Sequence, residues 1–159
     1  MKYHIVTVWL IEAPVEVVYE TIFQSLNWPQ WWCNVENVEN IASGDSKGIG
    51  NIRRYIWRGL LPYRLTFDIC VTRIEPLVSI EGTASGDLEG LGCWSFRQNG
   101  NMTIVNYKWH VQTTSFGMNM LGLFACPLVK WNHNYVMRKG GEALAHLLNV
   151  RLVNIAHYT

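Results

Sequence analysis

From Val35 to Thr114 apolar and polar side chains alternate with a period of two, interrupted only by short polar or glycine-bearing stretches. Alternation sends successive side chains to opposite faces, so it predicts strands. Six are expected, at Val35–Ala42, Asn51–Arg58, Tyr63–Ile74, Val78–Ser85, Leu88–Arg97 and Thr103–Thr114, with another ahead of them at Tyr3–Ile11. The separators Ser43-Gly44-Asp45, Gly59 to Pro62, Glu75-Pro76, Gly86-Asp87 and Gln98-Asn99-Gly100 carry turn chemistry. Connections this short join antiparallel neighbours, because a parallel pair needs a long crossover.

Helical spacing flanks this run. After Ala13-Pro14, where proline suits a first helical turn, Val15, Val18, Tyr19, Ile22 and Phe23 recur at three and four. Asn27-Trp28-Pro29-Gln30-Trp31-Trp32 reads as a short aromatic helix or turn. A long helix is expected to close the chain, with Pro127 near its N-terminus, since proline further in would break the hydrogen-bond ladder. Ala125, Leu128, Asn132, Val136, Gly140, Ala143 and Leu147 would face the sheet, with Gly140 allowing close approach. The apolar run Phe116 to Val129, interrupted only by Asn119, reads as a buried loop and helix start, too short to span a bilayer. The order strand, helices, six strands, long helix describes one α+β domain over residues 1–159.

Alternation also assigns faces. Tyr63, Leu65, Phe67, Ile69 and Val71 share one; Trp94 and Phe96 share one, as do Val105, Tyr107, Trp109 and Val111. Tyr55 and Trp57 pair likewise, although Arg54 and Ile56 leave that strand's orientation open. A slip of one residue would invert any of these.

Composition narrows the function classes. Hydrophobic residues make up 49% of the 159, enough for a real core without staples. Lys and Arg number 13 against 12 Asp and Glu, which argues against a phosphate-neutralising nucleic-acid surface. The four cysteines, Cys33, Cys70, Cys93 and Cys126, form no CxxC pair and read as buried thiols of a reducing compartment, so a cytoplasmic address is expected. The histidines form no HExxH or other ligand cluster, so neither metal nor cofactor is expected.

Several strings resemble the START-like (SRPBCC) superfamily, especially its polyketide cyclase/dehydrase-type members. These are Trp9-Leu10-Ile11-Glu12-Ala13-Pro14-Val15-Glu16-Val17-Val18-Tyr19, Trp28-Pro29-Gln30-Trp31-Trp32, Gly48-Ile49-Gly50, Arg73-Ile74-Glu75-Pro76, Glu81-Gly82 through Gly90, and Trp131 to Met137. The resemblance covers nearly the whole chain. It implies a helix-grip fold, a curved seven-stranded antiparallel sheet around a long C-terminal helix, with a cavity between them. The superfamily includes lipid and hormone binders and aromatic polyketide cyclases, so the resemblance implies architecture more firmly than chemistry.

The expected ligand is a small hydrophobic or aromatic molecule. Its candidate contacts are Arg53, Tyr55, Trp57, Tyr63, Phe67, Trp94, Phe96, Tyr107, Trp109, Asn132 and Val136. Eight tryptophans could fill a core, or wall a pocket of apolar sides with a few polar groups. Asn132 could fix a ligand oxygen, or be a buried amide satisfied by the protein. Arg53 or Arg54 could orient an anionic oxygen, or be solvated. The alternative to a binder is a polyketide cyclase/dehydrase-like enzyme that uses Asn132, Tyr107 and one arginine in the same cavity. A third reading, a protein-interaction module, would use exposed Trp31 or Trp32. Oligomeric state is left open.

Overall fold

The computed structural model describes residues 2–114 and 125–159. Strand β1 (Lys2–Ile11) leads into helix α1 (Val15–Phe23), a 3-10 turn (Ser25–Asn27) and a short helix α2 (Trp28–Trp31). Strands β2 (Val35–Ala42), β3 (Ile52–Arg58), β4 (Arg64–Glu75), β5 (Ser79–Gly86), β6 (Leu88–Asn99) and β7 (Met102–Thr113) follow. Helix α3 (Ala125–Leu148) and strand β8 (Leu152–Tyr158) complete the described chain. All strand pairs are antiparallel, in the order β2-β3-β4-β5-β6-β7-β1-β8. The fold is the expected α+β helix grip, a sheet with a long helix laid against it.

The sheet has eight strands, not seven. The added strand is β8, which follows α3 and pairs with β1, setting Trp9 opposite Ile155 and Thr7 opposite His157. It gives the outer edge of β1 a hydrogen-bonding partner, as an exposed edge demands. Asn149, at φ 53, turns the chain out of α3, a left-handed position that asparagine tolerates.

Inward faces follow the alternation. On β1, Tyr3, Ile5, Thr7, Trp9 and Ile11 are buried while their neighbours are less so. Tyr55, Phe67, Trp94, Phe96, Val105, Trp109 and Val111 are buried beside them. Register aligns the aromatics: Trp94 lies opposite Tyr107, and Tyr55 opposite Phe67.

Helix α3 is turned relative to expectation. Leu128 and Leu147, placed on the sheet-facing stripe, are exposed at 40% and 51%. Met137, Gly141, Leu144 and Ala145 are buried instead, together with Asn132, Val136 and Gly140. At 100° per residue the buried face centres on His133, Met137 and Leu144, about a quarter-turn from the expected line. Trp32 is fully buried and seats on Gly140, where a Cβ would collide with its indole. Its Nε1 donates to the carbonyl of Val136 at 3.1 Å. That overturns Trp32 as an exposed interaction residue. Of the apolar run, residues 116–124 lie outside the described residues. No helix among the described residues is long and apolar enough to cross a membrane.

Candidate functional site

Curling the sheet towards α3, α1 and α2 leaves two hollows that share one aromatic partition. The first lies under α3. Its walls come from Tyr3 and Ile5 of β1, Trp57 of β3, Leu65 and Phe67 of β4, Leu88 of β6, and Tyr107, Trp109 and Val111 of β7. Gly59, Tyr63 and the α3 residues Val129, Asn132, His133, Val136 and Met137 close it. Its volume is ≈ 80 Å³, the liquid volume of about three waters. The second, ≈ 70 Å³ by the same measure, lies towards α1 and α2 and includes Ser25, Trp28, Asn51, Tyr55 and Trp94. Trp57, Phe67, Tyr107 and Trp109 line both.

The partition is held by ring contacts. Tyr107 stacks on Trp94 at 4.0 Å and on Trp109 at 5.4 Å between centroids. Phe67 meets Trp109 at 5.9 Å and stacks on Tyr55 at 5.9 Å. Across from Trp109 stands Gly92, where any Cβ would run into the indole. Glycine there lets the tryptophan lie flat over the strand.

Of the residues singled out in the sequence, Tyr63, Asn132 and Val136 line the first hollow. Tyr55 and Trp94 line the second, and Trp57, Phe67, Tyr107 and Trp109 line both. Arg53 and Phe96 stand apart from both. The Arg53 guanidinium donates to Ser25 Oγ at 2.7 Å and to the Phe23 carbonyl at 3.4 Å, tying β3 to the end of α1. Phe96 is buried against Tyr19, ring to ring at 5.1 Å. Arg54 is exposed and pairs with Asp68 at 2.8 Å.

Asn132 resolves as a protein-satisfied amide with something to spare. Its Oδ1 accepts from the Leu60 N–H at 2.8 Å and, more weakly, from Leu61 at 3.4 Å. This pins the β3–β4 loop to α3. The hydroxyl of Ser25 and that of Tyr55 are 2.8 Å apart in the second hollow.

His133 falls outside the stripe of residues that helical spacing turns to the sheet. It lies on the wall of the first hollow. Both ring nitrogens are shielded from water and, among the described residues, neither makes a well-formed hydrogen bond, although the Asn134 side chain lies beside the ring. Burial depresses its pKa to about 4, partly offset by Asn134 beside it and reinforced by nearby His157. Burial also raises the pKa of Tyr3, of Tyr63, and most strongly of Tyr107. The Trp57 Nε1 is a further buried polar atom with no partner among the described residues, and the buried Tyr63 hydroxyl has the Asn132 amide beside it.

Solved structures share this architecture across most of the chain. A START superfamily protein from Mycobacterium smegmatis superposes with a TM-score of 0.73, covering 92% of this chain and 98% of its own, at 14% identity. The fold is START-like. The Zhui aromatase/cyclase from Streptomyces sp. R1128 gives 0.72 at 13% identity, covering 94% of each chain. The major latex-like protein 151 from Panax ginseng gives 0.65 at 8% identity, covering 89% of this chain and 96% of its own. No protein-family model and no curated protein matches the sequence. At these identities the likeness speaks to architecture alone.

Proposed function

We propose that this START-like chain binds a small hydrophobic or aromatic molecule in the hollow between the sheet and α3. The observation that carries this reading is the wall itself. Trp57, Phe67, Tyr107 and Trp109 from the sheet face Val129, Val136 and Met137 across empty space, the apolar lining typical of small-molecule sites. At ≈ 80 Å³ the hollow is about half the size of a cavity that holds one benzene, so a ring-sized ligand requires the shared partition to shift and open the first hollow into the second. A polyketide cyclase could use the same walls, but it needs a group to move a proton. His133, with its pKa depressed to about 4, is a weak base at neutral pH. Binding is therefore the first reading.

The test is native mass spectrometry of freshly purified protein, followed by denaturation and identification of what is released. A co-purifying aromatic or hydrophobic molecule supports the reading, and the same molecule added back should raise the melting temperature, because it binds only the folded state. If no hydrophobic class shifts melting and a crystal structure shows the hollow filled by side chains, the reading fails. Cyclisation of an added poly-β-ketone, lost in Tyr107→Phe, would instead favour the enzyme.

A further inference from the structure

We propose that the hollow under α3 selects uncharged aromatic molecules bearing a carbonyl or hydroxyl oxygen, and discriminates against carboxylates and amines of the same shape. This rests on the binding reading above and adds the ligand's charge and the position of its polar group.

The first support is the chemistry of the wall. No Asp, Glu, Lys or Arg is among its described lining residues. Of the arginines that flank wall residues in sequence, Arg58 and Arg64 pair with Glu36, and all three, Arg138 included, are exposed. His133 stays neutral at pH 7, and the wall tyrosines resist ionisation. A ligand carboxylate or ammonium would leave water without meeting a counter-charge, the costly way to bury an ion.

The second support is what the wall has left to bond. Trp57 Nε1 can only donate, and it is buried without an acceptor among the described residues. The Tyr63 hydroxyl has the Asn132 amide beside its oxygen, and its O–H is the side it can still donate. Asn132 has spent its Oδ1 on Leu60 and Leu61, and its NH₂ faces the Tyr63 oxygen. Even with the acceptor nitrogen of neutral His133 counted, the N–H of Trp57, the O–H of Tyr63 and the imidazole N–H make donors outnumber acceptors on this wall. A ketone or hydroxyl oxygen would satisfy one of them without bringing a charge, whereas a pure hydrocarbon would leave all of them unpaired.

Three probes of nearly equal shape separate these terms on the wild-type protein at pH 7.5, with binding read by tryptophan fluorescence. They are 2-acetonaphthone (neutral, with an acceptor), 2-naphthoate (charged) and 2-ethylnaphthalene (neutral, without an acceptor). The ketone should bind at least about tenfold more tightly than the carboxylate, and roughly fivefold or more over the hydrocarbon. Trp57→Phe should narrow the gap between ketone and hydrocarbon. Naphthoate binding as tightly as the ketone overturns the charge selection, and equal binding of ketone and hydrocarbon overturns the role of the oxygen. If none of the three binds, this inference falls, whereas the binding reading falls only when no hydrophobic class shifts melting and the hollow proves filled.

Discussion

His133 shows how one side chain ties stability to pH. The groups facing it are uncharged or weakly basic: Asn134 beside it, His157 from β8, and the cavity walls, with Arg138 acting on His157. Its folded pKa of about 4 lies below the unfolded value near 6.5. Between those values the unfolded chain binds more protons than the native one, so stability rises with pH across the window from 4 to 6.5. The His133 contribution is fully present above about 6.5 and is lost as pH falls to about 4, where it levels off. Its size is up to about 3 kcal/mol. Urea midpoints of the wild type measured from pH 4 to 7.5 should climb, and His133→Gln should flatten most of that slope. The remainder belongs to His157, whose pKa burial also lowers and whose Nδ1 lies 3.1 Å from the Thr7 hydroxyl. An unchanged slope in His133→Gln would mean the imidazole is hydrated in the folded state.

Helix α3 is where sequence reading and structure part company, and the reason is geometric. For a strand, the choice of face is binary: once Tyr107 and Trp109 are assigned to one side, Val105 and Val111 follow. Those faces were legible, and with them most of the cavity wall. A helix offers a continuous choice, and α3 carries weak signals at its centre: a histidine at 133 and the glycine pair Gly140-Gly141. Leu128 and Leu147 pulled the expected stripe a quarter-turn away, which hid His133 and Met137. The same weakness concealed β8, an edge strand whose burial does not alternate cleanly. What calls for it is the open edge of β1, a demand of the whole sheet and not of residues 152–158. The turned helix can be tested directly. At Gly140 an added Cβ would strike the Trp32 indole, whereas at Gly141 it would only crowd Trp9, at 3.1 Å. Gly140→Ala should therefore destabilise by about 2 kcal/mol or more through overpacking. Gly141→Ala should come out near neutral, since the helix propensity gained offsets the crowding. Denaturant midpoints with unchanged m-values would confirm that order.

Tryptophan rings join elements that are distant along the chain. Trp9 of β1, Trp28 of α2, Trp32 just after it, Trp57 of β3 and Trp94 of β6 meet one another with centroids 4.9 to 6.1 Å apart. Tyr107 then extends the network to Trp109 on β7. Helix α3 has no ladder bonding it to the sheet. It is held by discrete anchors, chiefly Trp32 against Gly140 and Val136, and Asn132 on the Leu60 N–H. A helix attached in this way could lift as a unit and open the first hollow while the sheet stayed intact. The aromatic network argues against that, because Trp32 belongs at once to the α3 contact and to the sheet-bound cluster. Losing α3 would strip Trp32 of its cover and loosen Trp57 on the cavity wall. The expected outcome is one cooperative transition in urea, with near-ultraviolet circular dichroism, which reports the packed indoles, and far-ultraviolet circular dichroism, which reports the backbone, sharing a midpoint. Trp32→Phe should lower both midpoints together. A near-ultraviolet signal lost at lower urea than the far-ultraviolet one would show that α3 and the cavity wall melt first, and that the hollow opens without unfolding the sheet.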